Sequence, residues 1–77
     1  MYDNDVFEVV LYDRYGNETY RTKIATFSRM TDFIAERAVD GTRDWFAKIR
    51  GQHGQNETVD IQGLRLRAFR DGYLINV

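Results

Sequence analysis

His53 is the one imidazole in this 77-residue chain, and imidazole is the side chain most readily set to move protons near neutral pH. A catalytic role needs a nucleophile or proton donor within hydrogen-bond reach. The residues around it, Gly51-Gln52-His53-Gly54-Gln55-Asn56, offer no such group in sequence. We therefore read His53 as a solvated loop residue. Asp3-Asn4-Asp5 begins like a calcium loop, which requires an oxygen ligand at the fifth position, Gly at the sixth and Glu at the twelfth. Those positions hold Phe7, Glu8 and Arg14, so the segment is read as a frayed, solvated start of the chain. The remaining carboxylates are scattered singly, and there is no cysteine. A thiolate zinc site, a Cys nucleophile and a disulfide framework are thereby excluded together. The expectation is a chain with no catalytic residues, no metal site and no cofactor.

Residues suited to binding are more plentiful. Gly51-Gln52-His53-Gly54 resembles the GXXG loop of the KH nucleic-acid-binding family, where two glycines let a phosphate backbone approach. The resemblance covers four residues, has no Lys or Arg in the middle pair, and implies nucleic acid as the partner. A second signal is Asp71-Gly72, the strongest hairpin-turn dipeptide in the chain. A two-residue turn there pairs Leu64–Arg70 with Tyr73–Val77. Leu64, Leu66, Ala68, Ile75 and Val77 then form a core face. Arg65, Arg67, Phe69, Leu74 and Asn76 fall on the other. Arg65, Arg67, Phe69 and Leu74 have the composition of a binding patch, because arginine and aromatic residues are enriched at interfaces. The same mixture suits stacking of single-stranded nucleic acid. A plainer reading has a neighbouring element covering Phe69 and Leu74 while the arginines reach water. A third group lies on a helix read below: Arg29 and Arg37 stand four residues either side of Phe33 and could pack on its ring. Ordinary edge-of-core packing is the alternative.

These groups need a framework. Val6–Tyr12 is rich in β-formers and apolar on both pleat faces, as expected of a central strand. Asp13–Asn17, with Gly16, reads as a turn leading to a return strand over 18–24. Ser28 is a plausible N-cap for a helix over about 29–39, with Phe27, Met30, Ile34 and Ala38 on one stripe and Gly41 after its end. For residues 43–50 we prefer a second helix, since Trp45, Phe46 and Ile49 then cluster on one side. The competing strand puts Trp45, Ala47 and Ile49 together and leaves Phe46 on the other face. Thr58–Ile61 reads as a short strand and Gly63 as a bend or bulge.

The expectation is thus one α+β domain over 1–77: a small antiparallel β-sheet made of two terminal hairpins, with one or two helices packed on it, in the approximate order ββααββ. The net charge of −1 opposes a polyanion-binding chain, since phosphate neutralisation shows as a basic domain. The absence of cysteine, of an apolar run near ~20 residues and of a signal-peptide core points to a cytoplasmic protein with no membrane contact. The leading functional expectation is a small protein-binding module acting on a host protein or complex subunit. Domains of this size are a form in which phage-like accessory inhibitors of host machinery, defence systems included, are met. The alternative is a nucleic-acid-binding module using an Arg/aromatic sheet face. Homodimerisation through a sheet edge is a further option.

Overall fold

The computed structural model describes residues 5–40 and 43–70, with the backbone alone at 40 and 67–70. The fold is α+β: a four-stranded antiparallel sheet and two helices, in the order ββαββα. Strands β1 (Val6–Tyr12), β2 (Glu18–Ala25), β3 (Phe46–Arg50) and β4 (Asn56–Asp60) lie in the order β2-β1-β3-β4. Helices α1 (Phe27–Asp40) and α2 (Ile61–Arg70) complete the chain. Among the described residues no helix is long and apolar enough to cross a membrane.

β1 is central because both its faces can be covered. Phe7, Val9 and Leu11 are buried against the helices, and Val10 is buried on the opposite face. Its hairpin with β2 closes on an Asx-type turn. The Asp13 carboxylate accepts bonds from the backbone N–H groups of Tyr15 and Asn17, both at 2.9 Å, and Gly16 supplies the left-handed residue with φ +85°. The pairing of Leu11 with Tyr20 and of Tyr12 with Glu18 leaves Thr19 as a bulge.

Thr26, not Ser28, caps α1. Its hydroxyl accepts the Arg29 N–H at 3.2 Å, which satisfies one of the orphan donors at the helix start, and its carbonyl accepts the Met30 N–H as the first bond of the helix. Met30, Ile34 and Ala38 are buried in the core against the sheet, while Phe27 is half out and meets Phe7 edge-on at 6.0 Å.

The second half departs from the sequence reading in three places. Residues 46–50 form a strand rather than a helix. Beside β1, Ala47 pairs with Leu11 and Ile49 with Val9, and both are buried. Phe46 turns to the other face, where the Tyr12 ring receives it at 5.0 Å and 13° between planes. The apolar partner missing from the strand reading was Tyr12. The second correction is Leu64–Arg70, which is helical and not a strand. Asp60 caps this helix by accepting the Gly63 N–H at 2.8 Å. A Cβ on Gly63 would collide with that carboxylate, so the glycine permits the cap instead of marking a bulge. The second hairpin of the sheet is therefore β3–β4, turning through Gly51–Gln55, and the Asp71-Gly72 dipeptide lies outside the described residues. Third, Asp5 is not frayed. It is buried, its carbonyl accepts the Thr26 N–H at 2.8 Å, and its carboxylate Oδ1 lies 3.1 Å from His53 Nε2.

The core comprises Phe7, Val9, Leu11, Met30, Ile34, Ala38, Ala47, Ile49 and Ile61. Both helices pack on that one face of the sheet. No described helix packs on the other face, and its register places Lys23, Glu8, Arg50 and Asn56 in one row, Arg21, Val10, Lys48 and Thr58 in the next, and Glu18, Tyr12, Phe46 and Asp60 in the third.

Candidate functional site

Arg65 is a structural residue. From α2 its guanidinium donates to the Ala38 carbonyl at 2.9 Å, to Arg37 O at 3.1 Å, to Asp44 O at 3.3 Å and to Gln62 Oε1 at 2.7 Å. It caps the last turn of α1 and ties that end to the segment entering β3. The expected core face is also split: Leu64 packs against the core, whereas Leu66 is 61% exposed. The side chains of Arg67 and Phe69 fall outside the described part of α2, and Leu74 lies outside the described residues altogether. Arg65 to Phe69 lie on a helix and not on a hairpin strand, so the strand register that grouped them does not hold.

The helix group fares differently. Arg37 sits over the Phe33 ring at 5.1 Å, as the four-residue spacing demands, and over Tyr20 of β2 at 5.0 Å. Phe33 and Tyr20 stack at 6.1 Å. Arg37 also approaches buried Asp44 at 3.7 Å. Asp44 accepts a second bond from the Thr19 hydroxyl at 2.8 Å, a contact made possible by the bulge that frees Thr19 from the ladder. Arg29 is exposed on the same stripe, nearer the start of α1.

At the turn end of the sheet the structure assembles a group that the sequence reading did not single out. Arg14 lies over the Tyr15 ring at 5.2 Å and over the Trp45 ring at 5.5 Å. Tyr15 is 77% exposed and Trp45 36%. Together with Arg43, Glu18 and Thr19 they line a shallow depression of about 510 Å³. The two carboxylates here are engaged within the fold. The N–H of Asn17 above all holds the Asp13 carboxyl below the usual carboxylate range, and the Arg21 side chain does the same for Glu18. Arg21 in turn is raised, first by its bond to Glu18 at 2.8 Å. Among the described residues, Arg14 and Arg43 make no ion pair. The depression thus offers two guanidiniums against an aromatic wall, a combination that takes carboxylates or planar groups. The signal was Trp45 itself, at a position 30 residues from Tyr15 that only the β1–β3 pairing brings close.

Elsewhere, Gly51-Gln52-His53-Gly54 is a β-hairpin turn. Gly51 donates to Gln55 O, the Gln52 side chain accepts the Val6 N–H, and Gly54 has φ +87°. A GXXG loop that follows a helix is not what these residues form. Among the described residues no cluster of three or more His, Asp or Glu side chains could hold a metal ion. Comparison with family models, with curated proteins and with solved structures finds no match to this chain.

Proposed function

We propose that this chain is a small non-catalytic protein-binding module, and that its interface centres on Trp45, Tyr15 and Arg14. The observation that carries the reading is the Arg14 guanidinium lying over both exposed rings at the mouth of the depression. Trp, Tyr and Arg dominate interface hot spots, the two aromatics because they bury large area at low entropic cost. A domain with this surface regulates or inhibits its partner by occupying it. The test is affinity capture from lysate, with and without nuclease, using the wild-type chain and Trp45→Ala. A protein retained after nuclease treatment and reduced about tenfold or more by Trp45→Ala is the expected result. Retention that vanishes with nuclease, or that ignores the substitution, refutes the reading.

A specific observation favours a second reading. On the face away from the helices Tyr12 and Phe46 stack with Lys48 Nζ 5.5 Å from the Tyr12 ring, and Lys23 and Arg50 stand two rows away. That is the composition of a platform for single-stranded nucleic acid. Glu8, Glu18 and Asp60 share the face and offset its charge, so we rank this second. Affinity for single strands falling steeply with salt would reverse the ranking.

A further inference from the structure

We infer that the outer edge of β2 takes an extended, acidic segment of the partner protein as an added strand, lying beside the Arg29–Phe33–Arg37 stripe of α1. This rests on the protein-binding reading and names the chemistry of what is bound.

β2 is eight residues long and, among the described residues, pairs only with β1, so no described strand lies on its far edge. The phase of its hydrogen bonding follows from one bond. Thr26 N–H donates to Asp5 O at 2.8 Å, and bonded pairs alternate along an antiparallel ladder. Ile24, Thr22 and Tyr20 therefore bond inward to β1. Arg21, Lys23 and Ala25 turn their backbone N–H and C=O groups outward, where an added strand would meet them.

The flanking side chains select the occupant. On the face away from the helices, residues of an added strand would lie beside Arg21 and Lys23. On the helix face they would lie beside Tyr20, Thr22 and Ile24, with the Arg29–Phe33–Arg37 stripe of α1 above them. Arg37 and Phe33 are fixed to this edge by their contacts with Tyr20. Arg21 already pairs with Glu18 and Glu8, and Arg37 with Asp44, but Lys23 and Arg29 make no ion pair among the described residues. Asp32 and Glu36 are exposed on α1 one position off the stripe. This edge therefore fits a segment with carboxylates beside Lys23 and Arg29 and an apolar side chain on the Phe33–Tyr20 pair. A second copy of β2 does not fit. Registers that keep the two faces matched and overlap most of the strand set Arg21 opposite Arg21 or Lys23, or Lys23 opposite itself, and like charges directly opposite are unfavourable. Glu18 and Thr19 at one end of the edge also line the Trp45 depression, so one extended segment can run along the edge to that anchor.

The experiment is an amide-resolved NMR titration of the full chain with an acetylated heptapeptide alternating valine and glutamate. Shifts confined to 18–25 and 29–37, weakened about tenfold by Lys23→Glu and by N-methylation of alternate peptide amides, are expected. The overlay of the Lys23→Glu spectrum on the wild type confirms that this exposed substitution leaves the fold intact. Binding weaker than about 1 mM, equal binding of the N-methylated peptide, or binding of the lysine-substituted peptide as tightly would overturn the inference. So would shifts on the Tyr12–Phe46 face, which a single-stranded oligonucleotide is expected to produce if that face is the site. Failure here with Trp45-dependent capture intact refutes the added strand alone. Failure of capture as well refutes the protein-binding reading beneath it.

Discussion

Replacing Arg65 by alanine should cost about 2–3 kcal/mol, while Leu66→Ala one residue away should cost within about 0.5 kcal/mol of nothing. The magnitude comes from what Arg65 holds. Its guanidinium reaches three backbone carbonyls and one side-chain oxygen at 2.7–3.3 Å. Ala38 O and Arg37 O belong to the last turn of α1, whose carbonyls have no partner within the helix. Hydrogen bonds from a charged donor contribute roughly 1.5–3 kcal/mol each where buried. Arg65 is only partly buried, and water can reach some of the freed carbonyls, so the total falls well short of a fourfold sum. The cation near the end of α1 adds about 0.3–1 kcal/mol through the helix dipole. Arg65→Lys should recover that last part and little else, since an ammonium cannot fork between carbonyls. Urea unfolding followed by Trp45 fluorescence and by far-UV circular dichroism measures all three variants. The pair also discriminates the two assignments of this segment. A strand over 64–70 puts Leu66 in the core and makes its truncation cost roughly 2–5 kcal/mol, with Arg65 nearly neutral. That outcome would refute the helical placement and the role assigned to Arg65 together.

Two other outcomes are expected. Ile34→Ala should destabilise the fold by about 2–5 kcal/mol in the same urea assay, because Ile34 is buried where α1 meets the sheet; a loss below about 1 kcal/mol would mean that α1 is not packed as described. Asp13 and Glu18 have carboxyls held below their ordinary range, so the stability they add is present at neutral pH and lost as pH falls below about 4.5 through the folded-state values. Melting temperature measured from pH 6 to pH 2 should fall over that window, and less steeply in Asp13→Asn and Glu18→Gln, whose side chains no longer titrate.

Local pattern carried the first half of the molecule. The apolar two-faced run over 6–12, the Asp13–Gly16 turn and the Met30–Ile34–Ala38 stripe each depend on neighbours within a few residues. All three are found where the periodicity puts them. The helix start moved by a residue or two because Thr26 and Ser28 are both competent caps, and only the φ of +71° at Thr26 ends β2 there. The second half turned on contacts between distant residues. Phe46 counts against a strand until Tyr12 is known to lie opposite. Asp71-Gly72 outweighs Asp60 as a local signal, yet Asp60, Gly63 and the apolar pair Ile61 and Leu64 specify a capped helix whose buried side is supplied by α1 and β3. Arg65 read as a binding residue because arginine and aromatic composition is the same whether a guanidinium faces a partner or three carbonyls of its own chain.

That last ambiguity bears on how the binding end works. Arg37 and Arg65 are spent internally, and both act on the segment that carries Trp45. Arg37 approaches the Asp44 carboxylate, and Arg65 holds the Asp44 carbonyl. Trp45 itself is bonded on both sides: its N–H donates to Tyr12 O at 2.8 Å, and its carbonyl accepts the Gln62 N–H at 3.0 Å, one of the orphan donors at the start of α2. The backbone under the exposed indole is therefore fixed to β1, to α1 through Arg37 and to α2 through Gln62 and Arg65. A ring presented from so constrained a segment loses little further freedom on binding, and such preorganisation raises affinity without adding contacts. The guanidiniums at this end that make no ion pair among the described residues, Arg14 and Arg43, are those that line the depression. On the proposed interface, the arrangement divides the arginines between building the anchor and facing a partner. It follows that Arg65→Lys, which leaves every residue of the depression in place, should weaken partner capture by a few-fold under conditions where the variant remains fully folded. Capture unchanged in that variant would show that Trp45 does not need the support described, and would separate the surface from the joint beneath it.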